Sequence, residues 1–241
     1  MNFKEYLKLE RYPSSWCPGC GIGLVVINMA KVFEELGLKK EETTVISGIG
    51  CTGRAAGYFN MDTVHGLHGR AVPLAEGVKI TKPKMKVIVL SGDGDLVGIG
   101  GNHLIHACKR DTDITVICND NFIYGMTGGQ RSPTTKKGIR TLTSPYGNVE
   151  EPVNVQGLVR ANKRFYARTT TFHLAHLREC IKRAINHKGF AFVEVVSNCV
   201  ENYGRRIGFK NSYEMLMSFK ENYKPVKDVK ELKDNELGII E

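Results

Sequence analysis

The chain lacks most of what marks a fibrous, membrane or secreted protein. Its 241 residues hold one tryptophan and eight prolines, and no stretch reaches the roughly 18 consecutive apolar residues a membrane helix needs. The amino-terminal MNFKEYLKLERYP carries acids and no apolar run, so it does not read as a secretory leader. Seven cysteines are an odd number for a disulfide framework. Without an export signal they point to reduced thiols, thiolate chemistry or metal binding. Internal repeats and low-complexity segments are missing as well. The remaining composition, 41% hydrophobic and 24% charged, is that of a globular protein with enough chain for one large domain or two small ones. The expectation is a cytoplasmic protein with no membrane contact.

Charge is present in excess but unevenly. The net charge is +9, and residues 1–130 hold 14 bases against 13 acids while the remainder hold 20 against 12. A basic second half attracts nucleic acid, acidic proteins or small anions, and the field alone does not choose between them. The pairs Lys136-Lys137 and Arg205-Arg206 lie beside no helix-turn-helix, zinc-finger or aromatic stacking pattern, which argues against a nucleic-acid partner.

Hydrophobic periodicity predicts a helix from Ile22 to Leu38, punctuated by Gly37. Short β-branched runs follow in TTVISGIG, KVIVLSGDGD, ITVICND, FYARTTT and AFVEVVS, each bounded by Gly, Asp or Asn. Helical patterns of crossover length separate them at Arg70–Lys82, Gly98–Arg110 and Phe172–His187. This alternation predicts an α/β fold with a mainly parallel sheet and helices on both faces. Phe122–Pro152 reads as a long loop, a length usually reserved for function. One domain is expected over residues 1–223, with an amino-terminal C-x-x-C loop. Residues 224–241 are expected to form a charged tail or docking segment.

Two strand ends carry chemistry. Gly92-Asp93-Gly94-Asp95 follows KVIVLS, and Asn119-Asp120-Asn121 closes the next strand. In a parallel sheet both emerge at the carboxyl edge, one crossover apart, so Asp93 and Asn121 can converge. A carboxylate and an amide oxygen suit Mg²⁺, and the glycines let backbone N–H groups approach a diphosphate. An isolated Asp-Gly pair is more commonly just a turn. Cys17 and Cys20 form C-P-G-C before a helix, which on spacing alone is half a zinc site, a redox dithiol or part of an iron-sulfur site. Cys108, Cys118 and Cys180 fall inside predicted elements as small buried residues, whereas Cys51 and Cys199 stand at element ends. His103 and His106, at i and i+3, have no apparent third ligand and are taken as structural.

These motifs together resemble a known family. GDG followed by NDN is similar to the diphosphate signature of thiamine-diphosphate enzymes. Residues 47–57 (SGIGCTGRAAG), 65–77 (HGLHGRAVPLAEG), 91–107 and 119–135 resemble the β subunits of 2-oxoacid:ferredoxin oxidoreductases. HGLHGRA, TGGQ-SPTT and YGRR look most like the 2-oxoglutarate enzymes. The resemblance implies that Asp93, Asn121 and the carbonyl of Ile123 hold Mg²⁺, and that Gly94, Asp95, Gly125 and Met126 line the diphosphate. Ile49, Gly50, Cys51, Thr52 and His68 would meet the thiamine side. It further implies one 4Fe-4S cluster on Cys17, Cys20, Cys51 and Cys199, with a structural zinc as the chemical rival.

The implied reaction is coenzyme A-dependent oxidative decarboxylation of 2-oxoglutarate, or the reverse carboxylation of succinyl-CoA, with electrons leaving to ferredoxin. A branched-chain substrate such as 2-oxoisovalerate, or broad 2-oxoacid use, is the nearest alternative. Gly128 stands where some broad-range relatives carry Lys, so carboxylate recognition is not transferred there. The rivals from other classes are a zinc-stabilised nucleic-acid module and a thiamine-dependent decarboxylase without electron transfer. Glu76 is not taken as the activating acid. Family resemblance assigns that Glu to a pyrimidine-binding domain, for which this chain has no room, so it is expected on an α subunit, with room for γ and δ subunits.

Overall fold

Continuous runs such as Val87–Leu90 and Val116–Cys118 have no polar face to offer water, so they form strands covered on both sides. The computed structural model describes residues 2–241. Its strands in chain order are β1 (Thr43–Ser47), β2 (Asp62–His65), β3 (Lys86–Gly92), β4 (Thr115–Asp120), β5 (Ile123–Tyr124), β6 (Gln130–Arg131), β7 (Phe165–Thr170), β8 (Ala191–Val196), β9 (Lys224–Pro225) and β10 (Glu236–Ile240). The helices are α1 (Gly21–Glu35), α2 (Ala71–Thr81), α3 (Gly101–Arg110), α4 (Val155–Arg160), α5 (Leu174–Asn186) and α6 (Ser212–Asn222). Eight strands form one sheet in the order β2-β1-β3-β4-β8-β7-β10-β9, while β5 and β6 pair as a small hairpin.

From β2 to β7 the sheet is parallel, as the strand-helix alternation predicts. Residues alternate between two cores. Val45, Ile88, Leu90, Ile117 and Val193 face α1 and α5, whereas Ile46, Val87, Val89, Val116 and Phe192 face the side of α2, α3 and α4. α1 ends at a Gly37 with φ +58, whose N–H donates to the Glu34 carbonyl while Leu38 donates to Phe33.

Three local expectations are corrected. The segment 224–241, expected as a tail or docking segment, joins the sheet: β10 pairs antiparallel with β7, placing Gly238 opposite Arg168, and buries Leu237 and Ile240. The three apolar side chains of β10, Leu237, Ile239 and Ile240, are few beside the surrounding charges, which hides the strand. β2 was not expected either, because an edge strand with mostly exposed residues carries no hydrophobic run. The helix expected from Gly98 begins earlier, as a π-helical turn over Gly94–Ile99 that runs into α3. Such turns are frequent at functional sites.

Candidate functional site

The register places Gly92 of β3 directly opposite Asn119 of β4, so the residues that follow, Asp93 and Asn121, meet at the carboxyl edge of the sheet. They open a narrow crevice of about 90 Å³. Its lining contains Asp93, Asn121 and Ile123, Gly94, Asp95, Gly125 and Met126, and Ile49, Gly50, Cys51, Thr52 and His68. The structure therefore brings together every residue assigned by resemblance to the magnesium, the diphosphate and the thiamine. The N–H groups of Gly125, Met126 and Thr127 have no hydrogen-bond partner among the described residues, which suits an anion.

Asp93 is buried, and burial pushes its carboxyl above the usual range, opposed by hydrogen bonds from Ser132 and Thr134. Thr134 Oγ1 lies 2.7 Å from both Asp93 Oδ2 and Asp120 Oδ1. One hydroxyl has one hydrogen. Thr134 donates to one carboxyl, and the other completes the second bond by donating a proton of its own. Asp120, also buried, is held well above the normal range by desolvation and by the charges of Asp93 and Glu194. Sequence reasoning missed Ser132 and Thr134, since their loop has no periodicity. The visible signal was the SPTT string itself.

Asp95 lines the crevice while its carboxylate is engaged elsewhere. Its carboxylate is turned into the protein, where Oδ1 accepts from the N–H of Ile49 (3.0 Å) and of Gly69 (2.7 Å) and contacts His68 Nδ1 at 2.5 Å, while Oδ2 accepts from Ser91 Oγ at 2.9 Å. A carboxylate so engaged does not bind a diphosphate, which it would repel. It ties the loop after β1 to the loop before α2, shaping two walls of the crevice. Gly48 permits this approach, because a Cβ there would stand 2.0 Å from Asp95 Oδ2.

The cysteine cavity adjoins the crevice. Cys17, Cys20, Cys51 and Cys199 line a single space of about 300 Å³ together with Trp16, Arg54 and Asn202. The C-P-G-C turn is closed by Cys20 N–H donating to the Cys17 carbonyl, and Gly19 sits at φ +78 against Ser212. Asn198 fastens that turn to the end of β8: its side chain donates to the Gly19 carbonyl, and Gly21 N–H donates to its own carbonyl. Trp16 Nε1 donates to the Cys51 carbonyl at 2.8 Å, and its ring packs on Tyr58 with centroids 4.5 Å apart. Cys20 caps the amino end of α1, where the helix dipole favours negative charge. Burial pushes the Cys20 thiol up to about 12, and burial also raises Cys51 and Cys199, each with a further contribution from neighbouring cysteines.

The four sulfurs share a cavity without collapsing on one point. No three His, Cys, Asp or Glu among the described residues are grouped to hold a single ion. Tetrahedral zinc with Zn–S of about 2.3 Å would need sulfurs about 3.8 Å apart. Cys51, Asn121, Gly125 and Met126 line both the cysteine cavity and the crevice, so one thin wall separates the two spaces.

Other candidates are accounted for structurally. Glu76 is buried in α2 and binds Arg110 through both oxygens, with Thr112 Oγ1 donating at 2.6 Å. His103 and His106 lie on α3, with no metal-holding group around them among the described residues. Lys137 pairs with Glu151 and Arg205 with Glu201. A cavity of about 820 Å³ lies over Asp120, Arg168 and Glu194, has mixed charge, and contains none of the assigned residues. No helix among the described residues is long and apolar enough to cross a membrane.

Known proteins fit this geometry. Residues 48–195 match the model of the thiamine pyrophosphate enzyme, C-terminal TPP binding domain. The chain is 44% identical to 2-oxoglutarate synthase subunit KorB of Methanocaldococcus jannaschii, over 97% of this chain and 87% of the relative. It is 40% identical to the KorB of Archaeoglobus fulgidus, over 99% and 88%. A solved structure of 2-oxoglutarate:ferredoxin oxidoreductase from Magnetococcus marinus, with 2-oxoglutarate, coenzyme A and succinyl-CoA bound, superimposes with a TM-score of 0.89 at 29% identity. That alignment covers 100% of this chain and 84% of the other. The nucleic-acid reading finds no support among these relatives. With GDG and NDN converging at the sheet edge and a similarity that runs nearly end to end, the chain belongs to the thiamine pyrophosphate enzymes, among the KorB-type β subunits of 2-oxoglutarate synthase.

Proposed function

We propose that this chain is the cofactor-holding half of a 2-oxoglutarate:ferredoxin oxidoreductase, binding the Mg²⁺-diphosphate end of thiamine diphosphate in its crevice and a 4Fe-4S cluster on Cys17, Cys20, Cys51 and Cys199. The observation that carries the reading is the shared wall of Cys51, Asn121, Gly125 and Met126 between the two cavities. A decarboxylase without electron transfer would have no use for four converging cysteines against its cofactor site. When bound, thiamine diphosphate supplies the stabilised carbanion of 2-oxoacid decarboxylation, a cluster accepts single electrons, and coenzyme A takes the acyl group.

Protein groups do the placing. Asp93 and the Asn121 side chain offer hard oxygens suited to Mg²⁺, with the Ile123 carbonyl beside them. Buried Asp93 is a carboxylate short of a cation, and Thr134 fixes its orientation. The free N–H groups of residues 125–127 suit phosphate oxygens. Asp95 keeps the crevice walls in register from behind.

The crevice holds about 90 Å³, well below the roughly 300 Å³ at which ligand pockets begin. This supports a site completed by another chain. Ile49, Leu67, Ile99 and Met126 are exposed apolar residues around it, suited to an α subunit that brings the pyrimidine-binding domain and the activating Glu. Ferredoxin as acceptor and 2-oxoglutarate as substrate follow the named relatives, and γ and δ subunits would complete larger assemblies.

The test is anaerobic iron and sulfide analysis of the chain beside Cys17→Ser and Cys199→Ser. Iron and sulfide near four each, lost in both variants, is the expected result. Stoichiometric zinc without sulfide would remove the electron-transfer reading. The chain alone should be inactive, and 2-oxoglutarate- and coenzyme A-dependent ferredoxin reduction should arise only with its α subunit.

A further inference from the structure

The segment after Cys199 does more than supply a sulfur. Asn202 Nδ2 donates to the Gly125 carbonyl at 2.8 Å. Arg206 donates from Nε to the Asn202 carbonyl at 3.1 Å and from Nη2 to the Gly128 carbonyl at 3.2 Å. Gly204 N–H donates to the Cys199 carbonyl at 2.8 Å, closing the segment on itself. Gly125 is part of the wall between the two cavities, and a Cβ there would stand 3.6 Å from both Cys51 Sγ and Cys199 Sγ. The loop whose free N–H groups face the crevice is thus clamped by the loop that carries a cluster ligand.

We propose that Asn202 is a positioning residue that couples the two cofactor sites, so that filling the cysteine cavity fixes the Gly125–Gly129 loop and tightens thiamine diphosphate binding next door. This rests on the function proposed above. An anchored Cys199 holds its segment, the Asn202 amide holds the Gly125 carbonyl, and the following N–H groups are set before the diphosphate arrives. The coupling is reciprocal, since linkage makes each ligand favour the other equally. Its sign is diagnostic. A cluster on four thiolates adds negative charge beside the site, and electrostatics alone would weaken diphosphate binding. Tightening requires a mechanical link.

The experiment uses the chain assembled with its α subunit, prepared free of iron or reconstituted anaerobically with iron and sulfide, and titrated calorimetrically with thiamine diphosphate and Mg²⁺. Cluster loading should tighten binding about fivefold, the scale of one ordinary hydrogen bond. In Asn202→Ala the enhancement on loading should vanish while the iron and sulfide content stays unchanged. Asn202→Asp, which keeps the size but cannot donate, should likewise lose the enhancement on loading. Arg206→Gln, which releases Gly128 and leaves the Asn202 side chain intact, should reduce the enhancement in part and serves if the Ala variant fails to fold. An undiminished enhancement in the Asn202 variants, or loading that weakens binding in the unaltered chain, overturns the coupling. Failure of the unaltered chain to take up cluster or thiamine diphosphate overturns the functional reading itself.

Discussion

Asp120→Asn should stabilise the metal-free chain, an unusual outcome for a fully buried polar residue beside a ligand site. Asp120 lies among the charges of Asp93 and Glu194, shares Thr134 with Asp93, and has its carboxyl raised well above 3.8 by burial first and those neighbours second. A carboxyl raised in the folded state contributes most to stability below its unfolded value. That contribution is lost as the pH climbs through the folded value. At pH 7–8 the fold therefore either ionises a buried group or holds a proton against the solvent. The variant's amide carries no charge, and with Nδ2 turned to Thr134 it lets that hydroxyl donate to Asp93, giving up the acceptor that Phe122 N–H shares with Thr134. A net gain in stability, and so a rise in Tm, is expected at pH 7–8, because relief of the buried charge or held proton outweighs one lost hydrogen bond of about 1 kcal/mol. Urea unfolding with a chelator present, run from pH 8 down to pH 3.5, measures it. The gain should fade as the pH approaches 3.8. A loss of stability at pH 7, or a difference independent of pH, would refute the proton count around Thr134.

Three further outcomes follow from other parts of the molecule. Trp16, the single tryptophan, lines the cysteine cavity, so its emission should be largely quenched on reconstitution with iron and sulfide and left bright by zinc. A titration that leaves it bright with iron bound would place the iron elsewhere. Gly48→Ala should destabilise by about 1–3 kcal/mol, because its methyl drives Asp95 out of a site 2.0 Å away and overpacks the loop. Thermal unfolding checks it, and an unchanged Tm would contradict the approach described. Deleting residues 236–241 removes the burial of Leu237 and Ile240, about 1.5–3 kcal/mol each. It also bares the edge of β7, so light scattering should show aggregation. A truncated chain as soluble and stable as the parent would mean β10 contributes little.

The sequence made the central sheet legible, since strands buried on both faces are written as unbroken aliphatic runs. The parallel topology followed, and with it the meeting of Asp93 and Asn121. Cys51 and Cys199 could be singled out because ligands gather where elements end. What escaped depends on long-range contact. Thr134 reaches Asp93 only because Thr135 Oγ1 donates to the Phe122 carbonyl and Asn148 Nδ2 to the Thr135 carbonyl, pulling an aperiodic loop back over the sheet. Asp95 has the same charge whether it faces a ligand or the protein, and only the partners at Ile49 and Gly69 decide. β10 pairs at the sheet edge with a strand far away in sequence, which its short apolar stretch does not announce.

On the proposed ligand set, the cysteines at positions 17 and 199 also say when iron can arrive. A cluster spanning almost the whole polypeptide cannot form on a nascent amino-terminal fragment, because the fourth sulfur emerges last. The fold itself holds both ends together through Asn198 on the Gly19 carbonyl and Trp16 on the Cys51 carbonyl. The entropy of closing that long loop is therefore spent in folding rather than in metal uptake. Cluster insertion should act on a finished structure, at a rate set by access to the cavity, and unfolding at either terminus should release the iron as a single event.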